Sequence, residues 1–332
     1  MPDRYALLSA IVCAAAIAAS APAHAANNSS PQVQPSLQDR LDSKAPAAAI
    51  DPSRFGAAQP DMAYGAYQRG LYLTALHLAL PRAQAGDPAA QTLAAEIYAR
   101  GLGVPRDPDK ARELYSKAAA QGVPEAAFRY ALILMGDKPP GEAPDEAFRL
   151  MQQAADAGHV MAAFDYAQMV SARNPGSEGM TRAFVYYEKA ARSGLADAQY
   201  AMSQAYANGI GGMPKDDAKA RQWLLLAARQ NYDTAELDLG TWLVEGRGGP
   251  KDVKAGFDWL KVAAEQGNVA AQNRLAKLYL NGIGTKADKT EAAAWYVRAR
   301  RAGLSDPDMD VFYSGLSPDD QKKAIERANR LK

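Results

Sequence analysis

Histidine and cysteine are frequent metal ligands, nucleophiles and proton-transfer groups near neutral pH. This chain has three histidines and one cysteine in 332 residues. Cys13 and His24 fall in an N-terminal segment that reads as a removable leader, which leaves His77 and His159. Those two are far apart in the chain and have no cysteine to complete a ligand set, so no zinc site is expected. The sequence holds no Gly-x-Ser-x-Gly, no phosphate loop and no His-Glu-x-x-His. Gly-x-Gly occurs at Gly101/Gly103, Gly209/Gly211 and Gly282/Gly284. A nucleotide site would need a strand before each, and none is expected, so these read as turns between helices. No catalytic, cofactor-binding or metal-ligating residue is assigned, and the chain is expected not to be an enzyme. Recognition chemistry remains. Two registers carry charged and amide side chains: Arg129, Asp165, Asp238 and Arg274 in one, Gln168, Gln204, Thr241 and Lys277 in the other. Such a row suits a polypeptide partner, with charge setting specificity. It is equally the composition of a solvated, mutually paired face.

The spacing of those residues comes from the element that positions them. A glycine closes a unit at Gly86, Gly122, Gly158, Gly194, Gly267 and Gly303, with Asn231 taking its place once. Successive markers stand 36 residues apart except for one step of 37. A period of this size is the signature of a stacked helical array. Asp87-Pro88 pairs a capping residue with a proline at the first helical position. Ala90, Ala94, Ile97 and Tyr98 then recur on one face of a helix. Gly101 to Pro105 breaks it, Asp107-Pro108 starts a second helix, and Gly122 ends that one in the left-handed region. Each unit therefore reads as helix A, loop, helix B, turn.

Within the units, small residues recur at Ala95, Ala131, Ala167, Ser203, Gly240 and Ala276, where helix A is expected to lie close on helix B. Large residues recur at Leu114, Leu150, Tyr186, Trp223, Trp259 and Trp295, and are expected to fill the space between units. A further stripe on helix A reads Thr92, Phe128, Phe164, Tyr200, Leu237 and Asn273. It is either an apolar band that holds a peptide or a seam buried between adjacent A helices.

These units resemble the Sel1-like repeat, a relative of the tetratricopeptide repeat. The residues that carry the resemblance are Tyr98-Ala99-Arg100-Gly101-Leu102-Gly103, Tyr206-Ala207-Asn208-Gly209-Ile210-Gly211 and Tyr279-Leu280-Asn281-Gly282-Ile283-Gly284, with Lys110-Ala111, Lys219-Ala220 and Trp295-Tyr296 in helix B. Gly136 to Gly141 and Arg173 to Glu178 replace the Gly-x-Gly loop in two units and keep the length. The resemblance implies an all-α, right-handed solenoid of about six to seven helix-turn-helix repeats over 61–303, with helix A lining the concave side. The unit from Asp61 to Gly86 is short and degenerate, as an end cap should be. Residues 304–332 are expected to form a C-terminal cap. Its helix would start at Ser317-Pro318, with Ala324, Ile325, Ala328 and Leu331 as the apolar stripe. A basic tail for an acidic partner or anionic lipid is the alternative.

Arg4, the uncharged run Tyr5 to Ala19 and the small-x-small Ala23-His24-Ala25 read as a signal peptide over 1–25, cleaved after Ala25. A Pro-, Ser- and Ala-rich linker is expected over 26–60. The 38 basic and 37 acidic residues leave a net charge of +1, which argues against a nucleic-acid partner. No later segment is apolar for long enough to span a bilayer. The expected location is the periplasm. The resemblance implies a non-catalytic scaffold or adaptor for a protein or peptide partner in the cell envelope, either assembling envelope machinery or restraining a membrane sensor. The alternatives are an enzyme acting on cell-wall material and a glycan-binding protein. Exported relatives linked to peptidoglycan are cysteine-rich, which this chain is not, and its Trp and Tyr residues fall mostly at core positions.

Overall fold

The computed structural model describes residues 61–331, and the leader and linker assigned to 1–25 and 26–60 lie outside them. The described residues form α-helices joined by turns, with no strand among them. In chain order the helices are α1 (Met62–Gln68), α2 (Tyr72–Gln84), α3 (Pro88–Arg100), α4 (Pro108–Ala120), α5 (Pro124–Met135), α6 (Asp145–Asp156), α7 (Val160–Arg173) and α8 (Ser177–Arg192). They continue as α9 (Ala196–Asn208), α10 (Asp217–Ala228), α11 (Asp233–Glu245), α12 (Val253–Glu265), α13 (Val269–Asn281), α14 (Lys289–Arg301), α15 (Pro307–Ser314) and α16 (Pro318–Ala328). Odd-numbered helices are the A helices of successive units and even-numbered ones the B helices. Each helix from α1 to α14 packs on its chain neighbour, and α16 folds back onto α14. Packing dominated by chain neighbours is that of a one-dimensional array.

Local chemistry sets the helix ends. The Asp87, Asp107, Asp216, Asp252 and Asp288 carboxylates accept hydrogen bonds from the first-turn amides of α3, α4, α10, α12 and α14. Such a cap contributes about 1 kcal/mol. Asn231 is the non-glycine with positive φ among the described residues, at 61°. Asparagine is the residue that best tolerates the left-handed region in glycine's place.

The Gly-x-Gly turns have a steric cause. The first glycine is the left-handed C-cap of helix A, as at Gly282 with φ 66°. The second lies on the B helix of the preceding unit: a Cβ on Gly284 would sit 2.2 Å from the Val253 carbonyl oxygen, and one on Gly211 would sit 2.0 Å from Phe184 Cδ2. Gly246-Arg247-Gly248 is a fourth turn of this kind, with Gly248 against Asp217.

The core follows the small-residue register. Ala95, Ala131, Ala167, Ser203, Gly240 and Ala276 are all buried. At Gly240 the approach leaves no room for a Cβ, which would meet Leu260 Cγ at 2.6 Å and the Gly256 carbonyl at 3.0 Å. The expectation for the large residues needs correction. Leu150 and Trp295 are buried, but Leu114, Tyr186, Trp223 and Trp259 are only half-buried. The residue one position later is buried in every one of these units: Tyr115, Met151, Tyr187, Leu224, Leu260 and Tyr296. One residue turns a helix by about 100°, which moves a side chain from the seam to its rim.

The C-terminal cap also differs from the expectation of a single helix. α15, capped by Asp306, begins where a further A helix would start, and α16, capped by Ser317, is the helix that packs on α14. Ala324 and Ala328 are buried and Leu331 is half-buried, whereas Ile325 faces solvent. Arg327 ties the cap to α14 through a 2.5 Å bond to Glu291.

Candidate functional site

The A helices present one side of the stack, and both sequence registers lie on it. The aromatic stripe between them is a seam: Phe128, Phe164 and Tyr200 are buried and do not form an open apolar band. The eight side chains singled out from sequence have unequal access. Arg274 is exposed, and Arg129, Asp165, Gln168, Gln204, Asp238 and Lys277 are half-exposed. Thr241 is buried with its hydroxyl donating to the Leu237 carbonyl at 2.8 Å, so the expectation of exposure fails there. A threonine oxygen commonly bonds the carbonyl four residues back in its own helix, which satisfies the hydroxyl at this buried site.

Several of these residues are bridged to the next repeat. Arg129 Nε donates to Glu125 at 2.6 Å. The other Glu125 oxygen accepts from His159 Nε2 at 2.8 Å, one repeat on. His159 Nδ1 accepts the Ala162 amide at 3.0 Å, which fixes the proton on Nε2. The imidazole also stacks on Phe128, with 4.4 Å between ring centres. The His159 hydrogen bond and then Arg129 hold the Glu125 carboxyl down at about 2. His159 is therefore a helix cap and an inter-repeat pin. His77 is exposed on α2.

A second bridge joins α9 to α11. The Tyr200 hydroxyl donates to Asp238 Oδ2 at 3.0 Å, and Gln204 Nε2 donates to the same oxygen at 3.5 Å. Burial pushes the Asp238 carboxyl above its usual range despite these donors and the nearby charge of Arg274. At the end of the array Lys277 Nζ meets Asp306 at 2.6 Å, and Asn273 Nδ2 donates to the same oxygen at 2.7 Å.

Between α3 and α5 the A face opens into a recess of about 250 Å³, lined by Glu96, Ala99, Arg100, Tyr115, Arg129, Leu132 and Ile133. Glu96 accepts the Tyr115 hydroxyl at 2.7 Å, and Ile133 is exposed. Sequence reasoning passed over Glu96 and Leu132, although they occupy the register of Gln168 and Gln204 in the first two full units. Glu125 was also missed, and its signal was the i, i+4 spacing to Arg129. Among the described residues no cluster of His, Cys, Asp or Glu is arranged to hold a metal ion. The face offers charge, amides and one apolar recess.

The model of the Sel1 repeat matches residues 88–123, 124–159, 161–195, 196–232, 234–268 and 269–304. The chain belongs to the Sel1 repeat family. Among solved structures it is similar to a protective antigen present in uropathogenic Escherichia coli strains that displays an SLR fold, with TM-score 0.63 and 26% identity. The match covers 84% of this chain and 58% of that one. A Sel1 repeat protein from Oxalobacter formigenes matches with TM-score 0.55 and 31% identity over 73% of this chain and 69% of that one. A curated relative, chitin synthase regulatory factor 3 of Schizosaccharomyces pombe, is 31% identical over 111 residues. That stretch is 33% of this chain and 12% of the relative, so the chain covers a small part of that protein's length. Sel1 repeats in general mediate protein–protein interactions, which is the class of function the A face is equipped for. No described helix is long and apolar enough to cross a membrane.

Proposed function

We propose that this Sel1 repeat chain is a non-catalytic scaffold or adaptor of the bacterial cell envelope, exported to the periplasm, whose A-helix face docks a polypeptide. The observation that carries the reading is the mixed row of Arg129, Asp165, Gln168, Gln204, Asp238, Arg274 and Lys277 along successive A helices, beside an apolar recess at α3 and α5. Peptide recognition needs amides and charges at regular spacing with an apolar anchor point, and the array supplies both. The leader-like N-terminus supports the location. That the S. pombe relative is a chitin synthase regulatory factor supports partner control over catalysis. Assembly of envelope machinery and restraint of a membrane sensor are the two forms this role would take.

Photocrosslinking in intact cells tests the face. A crosslinker at Gln168 or Gln204 should give one shared adduct, which Arg274→Glu abolishes without changing the melting temperature. A crosslinker at Gln222 on α10 should not give it. Adducts from Gln222 alone would place binding on the B helices. Fractionation with N-terminal sequencing tests the location: mature protein should begin at Ala26 in the periplasm, and Met1 retained on cytoplasmic protein would overturn it.

A further inference from the structure

One position of helix A, directly after the opening alanine of each unit, reads Gln91, Ala127, Ala163, Gln199, Glu236 and Gln272. The three glutamines do the same work. Gln91 Nε2 donates to the Ala83 carbonyl at 3.1 Å, Gln199 Nε2 to Ala191 at 3.2 Å and Gln272 Nε2 to Ala264 at 3.2 Å. Each acceptor stands eight residues back, in the last turn of the preceding B helix. Each also accepts the amide of the unit's closing residue, Gly86, Gly194 or Gly267. Two of the glutamines use their oxygen as well: Gln121 Nε2 donates to Gln91 at 2.9 Å and Gln230 Nε2 to Gln199 at 2.8 Å.

Glu236 occupies this position in the fifth repeat, and its surroundings match. It is fully buried. Gln266 Nε2 donates to its Oε1 at 3.2 Å, the counterpart of the Gln121 and Gln230 bonds. Eight residues back is Ala228, whose carbonyl accepts the amide of the closing residue Asn231. The remaining oxygen, Oε2, has no donor. In the glutamine units the corresponding atom is an N–H that points at a carbonyl. By that equivalence the free oxygen of Glu236 takes a place suited to a donor, which a carboxyl supplies only when it carries a proton, and a buried carboxylate left without a donor is costly.

We propose that Glu236 is held as a neutral carboxylic acid whose hydroxyl stands in for the glutamine N–H at the joint between the fourth and fifth repeats, and that its ionisation as pH rises loosens that joint. The groups around it favour the neutral form. Burial is the first cause that raises its carboxyl above the usual range, and Asp233 on the same helix adds to it. On α10 the equivalent acceptor is the uncharged helix end at Ala228, and from the end of α12 Glu236 meets the neutral amide of Gln266. The same joint carries the Asp238 bridge to Tyr200 and Gln204, with Arg274 and Arg247 as the nearby cations. Loosening it therefore alters the A face where the candidate contacts of two repeats meet.

The sign follows from linkage. A carboxyl whose folded value lies above its unfolded value of about 4.5 contributes its full stabilisation below 4.5. The contribution is lost as pH rises through the folded value. The test is the melting temperature from pH 4 to 8 of the wild-type chain, Glu236→Gln and Asp238→Asn, with hydrogen exchange of α10 and α11 corrected for intrinsic rates. Glu236→Gln installs the residue found at three equivalent positions, so it should fold. It should match wild type at pH 4 and melt above it by about 2–4 °C or more at pH 8. It should also keep α10 and α11 protected at pH 8 where wild type loses protection. Parallel wild-type and Glu236→Gln profiles would overturn the proposal. So would a profile flattened by Asp238→Asn and not by Glu236→Gln.

Discussion

His159 shows how a residue that invites a catalytic reading is accounted for by its bonds. One ring nitrogen caps α7 and the other donates to Glu125, so neither is available as a base toward a substrate. Glu125 in turn accepts from both His159 and Arg129, which lowers its carboxyl from 4.5 to about 2. A lowered carboxyl stabilises the fold fully above its unfolded value, and the contribution disappears as pH falls through the folded one. Glu125→Gln should therefore cost little at pH 7, about 1 kcal/mol or less, because the pair is partly exposed. It should flatten the acid limb of the melting profile between pH 4.5 and 2. A wild-type acid limb that the variant leaves unchanged would mean that other carboxylates govern acid unfolding.

At the scale of the element, two adjacent residues of α12 separate core from rim. Leu260 is 2% exposed and lies against Gly240, while Trp259 is half-buried. Leu260→Ala should cost about 2–5 kcal/mol, the range for a buried leucine whose cavity cannot collapse. Trp259→Ala should cost less despite removing the larger side chain. Chemical denaturation of both variants checks the order, and the reverse order would put the seam on the Trp259 side. The Gly240–Gly256 crossing explains why the leucine site is tight. With no Cβ on either helix the backbones approach so closely that a Cβ on Gly256 would sit 2.7 Å from the Gly240 carbonyl oxygen, and Leu260 packs beside that contact.

Across the whole molecule the ends of the array decide what is left uncovered. α15 and α16 seal the last repeat, with Trp295, Tyr296, Val297 and Met309 buried at the junction. Deleting residues 305–332 should expose that seam. In an array whose units contact only their neighbours, the damage stays local. Hydrogen exchange should show α13 and α14 fraying while α3 to α10 keep their protection, and solubility should fall. Uniform loss of protection along the chain would mean a single cooperative fold. Unchanged exchange and solubility would favour the basic-tail alternative for residues 304–332.

The period, the two helices per unit, the capped starts and the left-handed ends were legible in the sequence. Each is a local demand of the backbone on a residue type at fixed spacing, as at Asp87-Pro88, Gly122 and Asn231. The close helix approach at Gly240 was legible for the same reason, because only a small residue permits it. The rotation of each helix about its axis was not. It buried Thr241, left Trp259 half-exposed and turned Ile325 to solvent, and a step of one residue is enough for each. The bonds that span one repeat were hidden as well: Glu125 to His159, Tyr200 to Asp238 and Lys277 to Asp306 join residues about 30 positions apart. Their pairing depends on the stagger between neighbouring units, which is set only when the units stack. The sequence by itself determined that the A helices would carry charges and amides. Tertiary packing decided that Gln204, Asp238 and Lys277 spend their bonds between repeats, that Arg129 and Thr241 bond within their own helices, and that Arg274 stands most exposed among them.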